Sequence, residues 1–211
     1  HAARAPDLAV PRAKRRLGQH FLTDPRVLGR IADAVDAGPR DTVLEIGPGP
    51  GGLTAALAER AGRLVAIEKD RDLVPALRRR FPQAMIVEAD ALEADWHALA
   101  GPRFLVAGNI PYNITSPLID KALEPPIPGR IVFLVQKEVA DRVTARAGEP
   151  AYGALSAGVQ SVARAERLEL GASEYALRSL LNNKAAVALA NKNARVVHAL
   201  LVGEAEYRQA A

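Results

Sequence analysis

The 211-residue chain has no cysteine, one methionine, one tryptophan and only 4% aromatic residues. Without cysteine there is no disulfide framework, no thiolate nucleophile and no cysteine-based zinc or iron–sulfur site. Its four histidines, His1, His20, His97 and His198, are scattered too widely to read as a metal cluster, so no metal is expected. No run of eighteen apolar residues occurs, which argues against a membrane-spanning helix. Aliphatic residues are plentiful. Hydrophobic residues make up 49% of the chain, enough to bury a real core, so wholesale disorder is excluded. The length suits one domain, or one domain with a small appendage.

The net charge of +4 is unevenly spread. Residues 1–16 carry Arg4, Arg12, Lys14, Arg15 and Arg16 against Asp7 alone, whereas residues 17–170 carry 20 acidic and 18 basic groups. Residues 171–211 carry five basic and three acidic groups. A basic arm on a slightly acidic body suits a phosphate-rich partner, although solubilising tails have the same composition. The Arg- and Ala-rich opening has the composition of a transit peptide, but Asp7 and the prolines at 6, 11 and 25 favour a disordered basic arm.

From Asp41 onward, short apolar runs alternate with helical patterns. Strands are expected over 42–46, 63–67, 84–87, 104–107 and 131–135. Helices are expected over 51–60, 72–80 and 137–146, with another from a Ser116 N-cap and Pro117 to about Glu124. Pro75 falls within a first turn, where its missing N–H costs little. Asp24-Pro25 opens an amphipathic helix with Val27, Leu28, Ile31 and Val35 on one face. Residues 152–162 read as a helix, 166–170 as a strand, and 193–209 as a helix with Val196, Val197, Leu200 and Leu201 on one face. Strands that are apolar throughout and separated by helices argue for a mainly parallel sheet covered on both faces, a doubly wound α/β domain. The expected division is a basic arm over 1–16, the α/β domain over 17–190 and a C-terminal helical remnant over 191–211.

Glu45-Ile46-Gly47-Pro48-Gly49-Pro50-Gly51-Gly52 follows the first strand and precedes the first helix of this pattern. Glycines there let the backbone turn sharply and approach a ligand closely. Glu68 ends the second strand, placed to accept both hydroxyl hydrogens of a ribose, and Asp90 follows the third, placed to accept from an adenine amine. A dinucleotide loop would read G-x-G-x-x-G and bring a pyrophosphate to the helix N-terminus. This loop reads G-x-G-x-G, with Glu45 two residues before the first glycine. A carboxylate there opposes a pyrophosphate but suits the ammonium and sulfonium of S-adenosylmethionine. The plain alternative, a tight turn flanked by surface acids, leaves three features in register unexplained.

After the fourth strand comes Gly108-Asn109-Ile110-Pro111-Tyr112-Asn113. As a lone segment it would read as a strand-ending turn. Behind the glycine loop it suits methylation of an exocyclic adenine amine, whose lone pair is delocalised until the nitrogen becomes tetrahedral. Asn109 offers a side-chain oxygen, Pro111 leaves or directs a backbone carbonyl, and Tyr112 offers a ring face for the base. Displacement on a sulfonium methyl depends chiefly on proximity and alignment, so no group with a mid-range pKa is required.

Together these segments resemble the ribosomal RNA adenine dimethyltransferases of the small subunit. The resemblance rests on Gly18-Gln19-His20-Phe21-Leu22, the glycine loop through Thr54, Glu68, Asp90-Ala91, Asn109-Ile110-Pro111-Tyr112, Gln136-Lys137-Glu138-Val139-Ala140 and Tyr152-Gly153-Ala154-Leu155-Ser156. It implies a Rossmann-like methyltransferase fold with a short or truncated C-terminal helical part, and S-adenosylmethionine as cofactor. Gln19, His20 and Leu22 would border the cofactor and Gly47 its methionine portion. Glu68 would hold the ribose, and Asp90 with Ala91 the adenine. Asn109 would sit between cofactor and target base, with Tyr112 stacking on that base.

The implied reaction dimethylates two adjacent adenosines near the 3′ end of small-subunit rRNA. The implied partner is the immature small subunit, in the cytoplasm, with a monomer as the default. A sister family acting on large-subunit rRNA in macrolide resistance shares Asn-Ile-Pro-Tyr, but Tyr152 to Ser156, with Gln160 following, looks more like the small-subunit enzymes. After Leu170 the chain departs from the family. The usual Phe-x-Pro-x-Pro-Lys-Val-x-Ser segment is unrecognisable over 171–190, apart from Lys184 with 185–189. That departure keeps a second reading open, an RNA-binding assembly factor in which methylation is lost or dispensable. A small-molecule methyltransferase is disfavoured by Asn-Ile-Pro-Tyr and the basic arm. Among the basic residues, Lys14, Arg15 and Arg16 are the expected rRNA contacts because they precede the segment bordering the cofactor. Lys137, Arg142 and Arg146 are explained about equally well by surface pairing, and Arg78, Arg79 and Arg80 by the helix dipole.

Overall fold

A computed structural model describes residues 21–170 and 175–181. The basic arm 1–16, Gln19, His20, the stretch 184–189 and the helix expected over 193–209 lie outside the described residues. The first helix, α1 (Pro25–Val35), begins at its cap: the Asp24 side chain accepts from the Arg26 N–H at 2.8 Å, and Pro25 needs no partner for a missing N–H. It is followed by β1 (Thr42–Ile46), α2 (Gly52–Ala58), β2 (Arg63–Glu68), α3 (Val74–Arg80), β3 (Met85–Glu88) and α4 (Trp96–Ala100). Then come β4 (Leu105–Asn109), a 3-10 turn (Tyr112–Ile114), α5 (Thr115–Ala122), β5 (Arg130–Val135), α6 (Lys137–Thr144), α7 (Ala154–Val162), β6 (Ala163–Glu169) and β7 (Tyr175–Leu181).

These strands form one sheet in the order β3-β2-β1-β4-β5-β7-β6. The five strands from β3 to β5 pair in parallel, and β7 runs antiparallel to both β5 and β6. From β1 the chain builds outward first through β2 and β3, then returns to build through β4 and β5. That reversal opens a crevice at the carboxyl ends of β1 and β4, the place where open α/β sheets bind ligands.

The parallel strands read as unbroken apolar runs because both faces are covered. Leu44, Ile46, Val65, Ile67 and Val106 face a core with Trp96 of α4 and Leu118 of α5. Val43, Leu64, Ala107 and Val132 face the other core, with Ile31 and Val35 of α1 and Leu57 of α2. Close approach of β1 and β4 requires Gly108, since a Cβ there would lie 2.7 Å from the Ile46 carbonyl oxygen. Among the described residues no helix is long and apolar enough to cross a membrane.

The sheet is mainly parallel, as expected, and three local details differ. Ser116 does not cap α5: the 3-10 turn runs directly into the helix, so Ser116 and Pro117 lie inside its first turn and no free helix end needs a side-chain cap there. The sheet is mixed at one side, because β7, which the sequence did not suggest, inserts antiparallel between β5 and a β6 that starts at Ala163. On β6, Arg164, Glu166 and Arg167 interrupt the apolar pattern, as charges commonly do on a sheet edge. The short α4 was also unanticipated; Asp95 caps it by accepting from the His97 and Ala98 N–H groups, both at 3.0 Å.

Candidate active site

The glycine loop leaves β1 at Gly47, whose N–H donates to the Ile67 carbonyl at 2.9 Å, and turns at Gly51, whose N–H donates to Pro48 at 2.9 Å. Gly51 has φ +86°, and a Cβ there would lie 2.5 Å from the Phe81 ring, so the loop both turns and packs only with glycine. Glu68 pins this loop. Its Oε2 accepts from the Gly49 N–H at 3.0 Å and its Oε1 from the Asp70 N–H at 2.7 Å. Burial raises the Glu68 pKa, against the lowering effect of those backbone donors. Arg80 reaches back from α3 to the Pro50 carbonyl at 3.0 Å, while Arg78 donates to Ile86, so the basic end of α3 braces its surroundings.

Glu45 alternates with Val43 on the α1–α2 side of β1 and is 1% exposed. Its carboxyl and the Thr54 hydroxyl of α2 are buried together, and the hydroxyl faces the carboxyl. Burial pushes the Glu45 carboxyl up to about 8; the Thr54 hydroxyl opposes the rise and the Glu68 charge adds to it. An acidic group in this setting calls for a cationic or hydrogen-bond-donating ligand.

Asp90 follows β3 as expected, but it already has partners. Its Oδ1 accepts from the Leu92 N–H at 2.9 Å and its Oδ2 from Lys69 Nζ at 2.5 Å, and Lys69 holds its carboxyl below the usual range. The Ala91 carbonyl accepts from the Trp96 indole N–H at 2.9 Å, which fixes the backbone beside Asp90. Leu22 and Phe21 bring the N-terminal segment against the loop; the Phe21 ring lies 3.2 Å from where a Gly49 Cβ would stand.

Asn109 ends β4 next to Gly47, its backbone oxygen 3.8 Å from the position of a Gly47 Cβ. The Pro111 carbonyl is taken by the turn, accepting from the Ile114 N–H at 3.2 Å and the Thr115 hydroxyl at 3.1 Å. Ile110, the residue before the proline, lines the cavity beside Asn109. Tyr112 lines the cavity and is 49% exposed, so part of its ring surface is accessible there.

One cavity of about 700 Å³ joins these groups. It brings together Leu22, Gly47, Glu68, Asp90, Ala91, Asn109, Pro111 and Tyr112 from the expected set. Gln19, His20, Lys14, Arg15 and Arg16 lie outside the described residues. Lys69, Ile110 and Gln136 also line it and were not anticipated. Both Gln136 and Ile110 lie in family-like motifs, although neither residue type points to a role there. Lys137 pairs with Asp141 at 2.6 Å, as the surface-pairing explanation expects, and Arg167 reaches the same carboxylate.

Strand order, loop and cavity together define a Rossmann-like fold of the S-adenosylmethionine-dependent methyltransferase type. Two solved structures share it with a TM-score of 0.70. One is a dimethyladenosine transferase from Plasmodium falciparum, 27% identical, with 80% of this chain and 65% of that one covered. The other is a 23S rRNA methyltransferase, 28% identical, with 89% of this chain and 81% of that one covered. The family model for ribosomal RNA adenine dimethylase matches residues 10–174, and the chain belongs to that family. Similar relatives bear the name ribosomal RNA small subunit methyltransferase A. That of Synechococcus elongatus is 47% identical over 171 residues, and that of Rubrobacter xylanophilus 49% identical over 161, each match covering 74% of this chain. The chain spans 61% of the length of these relatives. The family match ends close to Leu170, where the sequence departs from the family pattern.

Proposed function

We propose that this chain is an S-adenosylmethionine-dependent rRNA adenine N6,N6-dimethyltransferase. On this reading it methylates two adjacent adenosines near the 3′ end of small-subunit rRNA, on the immature subunit, as a cytoplasmic monomer. The observation that carries the proposal is the meeting of Asn109, Ile110 and Tyr112 with the glycine loop, Glu68 and Asp90 in one cavity at the reversal of strand order. The names of the relatives support the small subunit as the substrate class.

The residues fit the cofactor. Glu45 presents a buried carboxyl to the cavity beside the loop, where the cationic groups of the cofactor would meet it. When bound, S-adenosylmethionine supplies a methyl group on a positively charged sulfur. Gly47 admits its methionine portion closely, and Glu68 retains lone pairs for ribose hydroxyls while pinning the loop. Asp90, kept ionised by Lys69, accepts from the adenine amine. For the target base, the Asn109 side-chain oxygen and the Ile110 carbonyl accept the two hydrogens of the exocyclic amine, favouring a tetrahedral nitrogen whose lone pair is free. Tyr112 stacks on the base and fixes its attack line.

The test is mass spectrometry of rRNA after incubating the full chain with cofactor and small subunits isolated before modification. Dimethylation of two adjacent adenosines in small-subunit rRNA is expected. The likeness to the 23S rRNA methyltransferase gives a second reading, and methylation of large-subunit rRNA alone would establish it in place of the first. Tight subunit binding without methyl transfer would instead indicate an assembly factor.

A further inference from the structure

The Gln136-Lys137-Glu138-Val139-Ala140 segment has no part in the chemistry derived above, yet its first residue lines the same cavity. Gln136 sits at the N-cap of α6, a position where Ser, Thr, Asp or Asn would accept from the first N–H groups of the helix. It makes no cap hydrogen bond, and among the described residues its side chain enters no other. The side chain is exposed, so its amide is free to meet something from outside. Its neighbours do not share that freedom: Lys137 is held by Asp141, and Glu138 carries a charge that would repel RNA phosphates.

The sheet decides where this amide stands. Asn109 of β4 pairs with Leu134 of β5, and the Ile110 N–H donates to the Leu134 carbonyl at 3.1 Å. Two residues on, Gln136 comes level with Ile110 and Pro111, on the wall beside the segment that carries Tyr112. An adenine stacked on Tyr112, with its amine at Asn109 and the Ile110 carbonyl, keeps ring-nitrogen acceptors on either side of that amine. Those acceptors need a donor, and the side-chain carboxamide of glutamine supplies one.

We propose that Gln136 is a specificity-determining residue whose side-chain N–H donates to N1 or N7 of the target adenine. The inference rests on the proposed adenine site. Its test uses the full chain and small subunits reconstituted with rRNA carrying adenosine, 1-deazaadenosine or 7-deazaadenosine at the target position. Gln136→Ala is expected to lower kcat/KM for adenosine roughly five- to tenfold, the weight of one hydrogen bond. Cofactor affinity and melting temperature should stay unchanged, since no hydrogen bond among the described residues is lost. One deaza analogue should slow the wild type by a similar factor and slow Gln136→Ala no further. Gln136→Glu, which keeps length but removes the donor, should match the alanine variant. Losses that multiply with both analogues, an alanine variant as active as the wild type, or an altered cofactor affinity would each overturn the assignment. A wild type that methylates no adenosine at all would overturn instead the reading on which it rests.

Discussion

Burial at the floor of the cavity keeps Glu45 largely protonated at neutral pH, because water is excluded and the nearby Glu68 charge opposes a second anion. A folded-state pKa of about 8 against the ordinary 4.5 means that the folded chain holds a proton the unfolded chain has lost between those values. Stability contributed by this group is therefore full below pH 4.5 and declines as pH rises to about 8. A cationic ligand selects the ionised form, about one-tenth of the population at pH 7. Cofactor affinity relative to that of Glu45→Gln, measured by calorimetry, should accordingly strengthen between pH 7 and 9, by up to about tenfold. The amine of the cofactor titrates in the same range, so Glu45→Gln is the reference: its affinity should lose the Glu45 contribution, and an unchanged profile would refute the assignment. Asn109→Ala should reduce methyl transfer to small subunits by roughly a hundredfold or more with an unchanged melting temperature; full activity would refute the role given to its side-chain oxygen. Glu68, Asp90, Asn109 and Tyr112 were legible in the sequence because side chains at strand ends announce themselves. The Ile110 carbonyl was not, since a backbone acceptor has no letter of its own, and neither was the Lys69–Asp90 pair, which joins two strand ends.

At the scale of elements, two glycines make opposite predictions. At Gly108 a Cβ would meet the Ile46 carbonyl at 2.7 Å and the Ile110 side chain at 2.9 Å, both at the crevice. Gly108→Ala should cost about 1–3 kcal/mol in urea unfolding and weaken cofactor binding by forcing β1 and β4 apart. Gly29 lies inside α1 with nothing within 4 Å of its Cβ position, so Gly29→Ala should stabilise the fold by about 0.5–1 kcal/mol. The long, periodic α1 and the five apolar parallel strands were readable because burial imposes their pattern on every position. The five-residue α4 is too short to show a period. The charges of β6 obscured that strand, and β7 gains its place from pairing on both sides rather than from its own pattern.

For the molecule as a whole, charge segregation predicts how it meets RNA. Replacing Lys14, Arg15 and Arg16 by alanine should reduce the slope of log affinity for rRNA against log salt by roughly 2–3, with cofactor affinity unchanged. An unchanged slope would remove these residues from the interface. The sequence by itself determined the α/β class, the glycine loop and the acids that follow β2 and β3, because local turn chemistry and two-sided burial are written in consecutive residues. Only the tertiary structure decided that Gly47 and Asn109, 62 positions apart, share one crevice, since the order of β1 and β4 in the sheet is a property of long-range pairing. It likewise decided that the Pro111 carbonyl is spent on the turn and that Gln136 joins the cavity, because hydrogen-bond partners and strand register exist only once the strands are side by side.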